Sequence, residues 1–236
     1  AGRIQEAIDI YTLWLQNTQD PMRYVVYFNM ASMMQSVGLH EQAEKTYLSA
    51  ISILPSFGQA HINLGLLYER QGMKTKALSQ WNSFASQRYL FATLDKEMLC
   101  SALNHMGRLQ ENEKLYDLAE QALRESLKIN PQQPGVVQHW IHIRQKACIW
   151  PVYEELPGLP MSKLRQYTSP LGMLALTDDP AIQLLTSQNF VQRTFPNTTE
   201  RLTRKSQVTY GRKRVGLVSA DLREHAVGFL LPEFLK

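Results

Sequence analysis

YVVYFNMASMMQSVGLHEQAEKTYLSAISILP, residues 24–55, is followed by GQAHINLGLLYERQGMKTKALSQWNSFASQRY, residues 58–89. Laid over each other with an offset of 34, the two stretches pair Ala31 with Gly65, Gly38 with Gly72, Ala43 with Ala77 and Tyr47 with Trp81. Small residues fall on small and aromatic on aromatic, which is self-similarity at a fixed period. The physical reading is a pair of antiparallel helices per copy. Small residues on each helix let the axes approach, and the large residue fills the space between neighbouring pairs. Gly38 and Gly72 fall just past the first helix, where a left-handed cap costs least for glycine.

A third copy begins at Cys100 and places Leu103, Met106, Gly107, Ala119, Leu123, Ser126 and Pro131 on the corresponding positions. The step to it is 42 rather than 34, so eight additional residues are expected around Tyr89–Lys96. Gly2, Ala7 and Tyr11 resemble the second half of an earlier copy, and Val136–Ile149 one further helix with Trp140 and Ile141 on packing positions. The period and register resemble the tetratricopeptide repeat. The expectation is an α-solenoid over residues 1–148, in a chain that begins inside a repeat and is part of something longer.

Composition sets the bounds. The 236 residues carry 25 Lys+Arg against 21 Asp+Glu, a formal charge of +4. That is too mild to point to nucleic acid or a membrane surface. No apolar run approaches the roughly 18 residues of a membrane span. Two cysteines, Cys100 and Cys148, make neither a disulfide framework nor a zinc site. The expected location is the cytoplasm.

From Trp150 the texture changes. Residues 149–210 read as a helical and linker segment, with Pro151, Pro157, Gly158 and Pro160 interrupting it. Asp178-Asp179-Pro180 reads as a helix start, since Asp caps and Pro suits the first turn. Ile182, Leu184, Leu185 and Val191 are expected to form that helix's apolar side. Residues 196–214 carry Arg201, Arg204, Lys205, Arg212, Lys213 and Arg214, read as a solvated basic linker. Within 211–236, Arg214–Ser219 has the short apolar, β-branched texture of a buried parallel strand. A polar loop, Ala220–His225, and an apolar helix from Val227 follow. Strand, loop and helix are the opening of an α/β sheet, whose ligand sites lie at strand C-terminal ends.

Two stretches resemble the O-linked N-acetylglucosamine transferase family and its Spindly-like relatives. Val137–Leu156, with Ala147-Cys148-Ile149-Trp150 and Tyr153-Glu154-Glu155, resembles the junction after the repeat array. RVGLVSADLREHAVGFLL, residues 214–231, resembles the first strand and loop of the catalytic region. Ser169-Pro170-Leu171 and Asp178-Asp179-Pro180 are similar to bacterial members. Leu217, Leu222 and Ala226 depart from the family pattern. The resemblance implies a mainly α chain, a tetratricopeptide solenoid followed by the beginning of a GT-B catalytic lobe. It implies inverting transfer of GlcNAc from UDP-GlcNAc to protein Ser or Thr, with no metal and no cofactor beyond the nucleotide-sugar donor. That donor would be held mainly by a second lobe outside this chain, so residues 1–236 alone are expected to be inactive. Fucose transfer from GDP-fucose is the alternative within the family, and a non-catalytic interaction scaffold is the alternative outside it.

The same resemblance selects the site residues. His225 matches the family histidine assigned as general base, taking the proton from an acceptor hydroxyl. Asp221 is expected to orient the loop or the histidine. Asn29 and Asn63 hold the sixth position of their repeats, which the family lines with asparagines facing the concave groove. An amide can donate and accept, and so grip an extended peptide backbone. His105 replaces asparagine in the third copy. His139 and His142, three apart on a helix, have the spacing to share a metal but lack a third ligand in the sequence.

Overall fold

The computed structural model describes residues 2–87 and 95–196, with Glu224, Gly228 and Phe229. Among these residues the helices are α1 (Gly2–Asn17), α2 (Arg23–Ser36), α3 (His40–Ile53), α4 (Gly58–Arg70), α5 (Lys74–Ser86), α6 (Lys96–Asn112), α7 (Tyr116–Ile129), α8 (Pro134–Lys146), α9 (Met161–Tyr167), α10 (Pro170–Leu174) and α11 (Pro180–Thr194). The only β pairing among the described residues is an isolated bridge between Leu156 and Leu159.

The helices α2/α3, α4/α5 and α6/α7 are the three copies read from the sequence. Each first helix ends on the same hydrogen-bonded cap. Gly38 and Gly72 take φ of 83° and 75°. The amides of Leu39 and Met73 reach back to the carbonyls of Met34 and Tyr68, both at 2.9 Å. This six-to-one bond with a left-handed residue satisfies carbonyls that the helix end would leave open. The same cap closes α6, where Lys114 has φ 63° and Leu115 N donates to Gln110 O at 2.8 Å. It closes α8 too, where Cys148 has φ 55° and Ile149 N donates to Arg144 O at 2.8 Å. The backbone thus marks a fourth first helix, α8, which no full-length partner helix follows. The extra residues before the third copy lie partly outside the described chain. Asp95 caps α6 by accepting from the amides of Glu97 and Met98, so this helix starts one turn early.

The small residues are where close approach requires them. Tyr47 and Trp81 are fully buried, as are Ala31, Ala43 and Ala77. A Cβ on Gly65 would collide with the indole nitrogen of Trp81. One on Gly107 would stand 2.6 Å from Leu123. The indole N–H, sealed in the core, donates to Ile62 O at 3.3 Å, because a buried donor without a partner is costly. The buried His61 is satisfied at both ring nitrogens. Nε2 lies 2.9 Å from Pro55 O and Nδ1 2.6 Å from Gln80 Nε2. The carbonyl can only accept, so Nε2 carries the proton and Nδ1 accepts from the amide. Burial lowers the His61 pKa, against the bond to the Pro55 carbonyl, and favours that neutral form.

A second apolar cluster joins α7 and α8 to the segment after them, through Leu123, Leu127, Trp140, Ile141, Val152 and Leu159. A buried charge knot runs through it. Glu120 Oε1 accepts from Arg144 at 2.6 Å, from Trp140 Nε1 at 2.9 Å and from Arg124 at 3.0 Å. Arg144 is 2% exposed. It also donates to Val152 O at 2.9 Å and Pro151 O at 2.8 Å. Glu154 closes the knot on Arg124 at 2.6 Å. Each guanidinium nitrogen of Arg144 has an acceptor, which is the condition under which a buried ion pair is tolerated.

The short helices α9 and α10 and the longer α11 belong to the same compact unit, Ala1–Pro196. Asp179 caps α11 as expected, accepting from Ala181 N at 2.8 Å. The expected apolar side of α11 is corrected. Leu184, Leu185 and Val191 are 60%, 57% and 50% exposed. The inward stripe is Ile182, Thr186 and Arg193, and the guanidinium docks the helix by donating to Gln166 O and Gln138 Oε1. Residues 214–223 and 225–227 lie outside the described residues. The strand expected there, and the candidates Asp221 and His225, therefore have no described structure.

Candidate functional site: the first-helix face

In a solenoid of helix pairs the first helices line one continuous face, the concave surface used for binding in such folds. Position six of each copy falls on this face, and Asn29 and Asn63 are both half-buried. Asn63 is part of a hydrogen-bonded chain. Its Nδ2 lies 3.4 Å from the Tyr47 hydroxyl, which donates to Gln35 Oε1 at 3.0 Å. Burial pushes the Tyr47 phenol up, against the hydrogen bonds from Asn63 and Ser32. The hydroxyl therefore stays protonated and the chain keeps its direction. Gln35 spends its oxygen inward and leaves its amide N–H groups for the groove. Ser32, Gln35, Asn63, Leu66 and Arg70 line a recess of about 250 Å³ here. Asn29 is not among the residues lining that recess, so the structure does not join the two asparagines in one pocket.

Further along the face, Arg108 on α6 pairs with Glu69 on α4 at 2.6 Å. His105, which interrupts the asparagine series, stacks on Trp81 with centroids 5.1 Å apart. Burial and the nearby Arg108 lower its pKa. The next recess, about 400 Å³, is lined by Glu97, Ser101, Asn104, His105, Asn130 and Gln133, with Cys100. Asn104 donates to Gln133 Oε1 at 3.0 Å.

His139 and His142 both turn toward Glu111, at 2.6 Å and 3.7 Å, and Lys146 stands 3.2 Å from the same carboxylate. Burial raises the Glu111 pKa and the bases around it lower it, with a net lowering. The two histidines thus join Lys146 in a polar cluster around Glu111 that ties α6 to α8. No group of three or more His, Cys, Asp or Glu residues able to hold a metal occurs among the described residues.

The opposite face, built on second helices, carries a recess of about 600 Å³ between α5, α6 and α7, lined by Leu78, Ser79, Asn82, Leu103, Met106 and Gln121 among others. It is larger, and its lining mixes apolar Leu78, Leu103 and Met106 with the amides of Asn82 and Gln121. The sequence pattern does not single out Gln35, Arg70, Asn104 or Gln133. Gln35 and Arg70 occupy positions twelve and thirteen of their copies, so the repeat register holds a signal for them. Gln133 lies in the turn before α8, at the last position of the third copy, which the small-and-aromatic pattern leaves unmarked.

Helix pairs with small-to-large interdigitation, repeated left-handed caps and a polar first-helix face define a tetratricopeptide-like solenoid. The tetratricopeptide-repeat family profile matches residues 101–133. The chain is 23% identical over 147 residues, 62% of its length and 69% of the relative's, to Photosystem I assembly protein Ycf3 of Rippkaea orientalis (strain PCC 8801 / RF-1). Its fold is similar to a tetratricopeptide repeat protein from Parabacteroides merdae ATCC 43184, with a TM-score of 0.53 and 15% identity over 82% of this chain and 68% of that one. It is likewise similar to PilF of Pseudomonas aeruginosa, with a TM-score of 0.52 and 16% identity over 83% and 93% of the two chains. At these identities the solved structures speak for the fold. No described helix is long and apolar enough to cross a membrane.

Proposed function

We propose that the first-helix face binds extended polypeptide and that this chain is the acceptor-selecting arm and first catalytic element of a cytoplasmic protein O-glycosyltransferase. The observation that carries the binding half is the directed chain Asn63–Tyr47–Gln35, which leaves amide donors standing in the groove. A peptide backbone offers carbonyls at regular spacing, so such donors read length and extension rather than side chains. The catalytic half rests on the resemblance of residues 214–231, with His225 as general base and Asp221 orienting it. UDP-GlcNAc is the donor we favour, and GDP-fucose the alternative.

A second reading has its own support. The similarity to the photosystem I assembly protein covers 147 residues and the profile match covers repeat sequence, which suits a scaffold acting through protein contacts alone. Incubation of the intact protein, with the donor-binding second lobe that the transferase reading requires, with either nucleotide sugar and an unfolded polypeptide, read by intact-mass spectrometry, separates the two. The transferase reading expects a hexosamine or deoxyhexose mass on Ser or Thr. It also expects His225→Ala to lower turnover by about 10²–10⁴-fold. Binding of polypeptide without any transfer leaves the scaffold.

A further inference from the structure

Hydrogen-bond polarity around Asn104 points to a ligand class. Gln133 Nε2 has three acceptors within reach: Ser126 O at 3.3 Å, Ser126 Oγ at 3.1 Å and Asn130 O at 2.8 Å. Those acceptors fix the Gln133 amide, so its oxygen must face Asn104 and take the Asn104 Nδ2 proton. That in turn fixes Asn104. Its Oδ1 is buried with no donor among the described residues. An unsatisfied buried acceptor is costly, and persists where something outside the fold completes it.

Of the other polar groups lining the recess, one acceptor and one donor are already engaged. Asn130 Oδ1 already accepts from Gln132 N at 2.9 Å. The Cys100 thiol donates to Ser126 O at 3.6 Å. Glu97 brings the one formal charge among the described residues lining the recess, and it is exposed. His105, flat against Trp81, adds no positive charge near neutral pH, and Arg108 is engaged by Glu69.

Resting on the groove reading above, we propose that this recess between α6 and the turn into α8 is a subsite for a primary ammonium group, a lysine side chain of the bound polypeptide. An ammonium supplies three donors from one point and a positive charge, which suits a recess lined by the unpartnered Asn104 amide oxygen and the Glu97 carboxylate. Its four-carbon stem can lie against the recess wall while the head enters. A backbone N–H offers one donor and no charge for Glu97.

The test is a titration followed by the side-chain amide resonances of Asn104 and Gln133 in the full chain. The probes are Nα-acetyl-lysine methylamide, its Nε-acetylated form and Nα-acetyl-arginine methylamide. Saturable shifts are expected with the lysine probe alone. Glu97→Gln, a change at an exposed side chain, should weaken it about threefold, the size of an exposed ion pair. Asn104→Leu should abolish the response at Gln133. Equal shifts from the acetylated or arginine probe, or none from lysine, would overturn the subsite. Cross-linking of unfolded polypeptide to the Asn63 recess reports on the groove separately. Cross-links without a lysine response would remove the subsite and keep the groove.

Discussion

The two apolar clusters of residues 1–196 are held by different physics. In the first, between α1 and α6, contacts repeat: Gly65 makes room for Trp81, as Ala31 does on the preceding first helix, and the large residue seals the gap. In the second, between α7 and α9, no further copy exists to supply the next pair. There the packing face of α8 is covered by an irregular segment, and Arg144 holds that segment by its carbonyls while Glu120 balances the charge. A repeat array can be closed by polar chemistry where apolar periodicity ends. The lesson is that interior contacts in such a chain are interchangeable by register, while the closing contacts are particular.

The contrast can be broken first at its largest contacts. Trp81→Ala should cost about 3–5 kcal/mol, as a large buried aromatic does when its cavity cannot collapse. Hydrogen exchange should rise in α4 to α6 before α8. Arg144→Met should cost about 3 kcal/mol, the lower end for breaking a buried ion pair, because Arg124 still reaches Glu120. Here exchange should rise around Val152 and α9 first. Identical exchange patterns in the two variants would erase the distinction. Gly65→Ala comes next, at about 1–3 kcal/mol for overpacking against the indole. Its urea midpoint should fall, and Trp81→Phe in the same chain should return part of the loss.

Much of the first region is legible in the amino-acid sequence. Small and aromatic residues at an offset of 34 specify helix pairs directly, and Gly38 and Gly72 advertise their left-handed caps. Lys114 and Cys148 make the same turn without glycine, so the caps of α6 and α8 are invisible as composition. Capping by Asp179 is legible because the residue acts locally. The apolar side of α11 is not, because Leu184 and Leu185 face out while Arg193 does the docking. Neither the Glu120–Arg144 knot nor the Asn104–Gln133 pair has a periodic signature, since each joins residues from different elements. At the site, position six points to Asn29 and Asn63, but the register cannot tell that Asn63 joins a directed chain while Asn29 stays outside its recess.

Smaller effects sharpen the comparison at the surface. Asn29→Ala with Asn63→Ala should weaken long extended acceptors by roughly 0.5–1.5 kcal/mol per lost backbone bond and leave short active-site peptides unchanged. Fluorescence anisotropy with labelled peptides of both lengths measures this, and equal loss for both would show that the asparagines are no ladder. The pH dependence should be smaller still. Burial holds the pKa values of His61 and His105 below the ordinary 6.5. The unfolded chain therefore takes up protons that the fold refuses. Stability should be full above about pH 6.5 and decline as pH falls below it. Urea midpoints across that range check the sign, and His61→Gln should flatten the decline.

The central claim is that polypeptide lies on the first-helix face and not in the larger recess opposite. A photo-cross-linking residue placed at Ser32 on the first-helix face, or at Ser79 on the other, tests it in the full chain with one unfolded acceptor polypeptide. The account predicts cross-links from position 32 that an unlabelled acceptor competes away, and background at position 79. Equal or stronger capture at position 79 would contradict it.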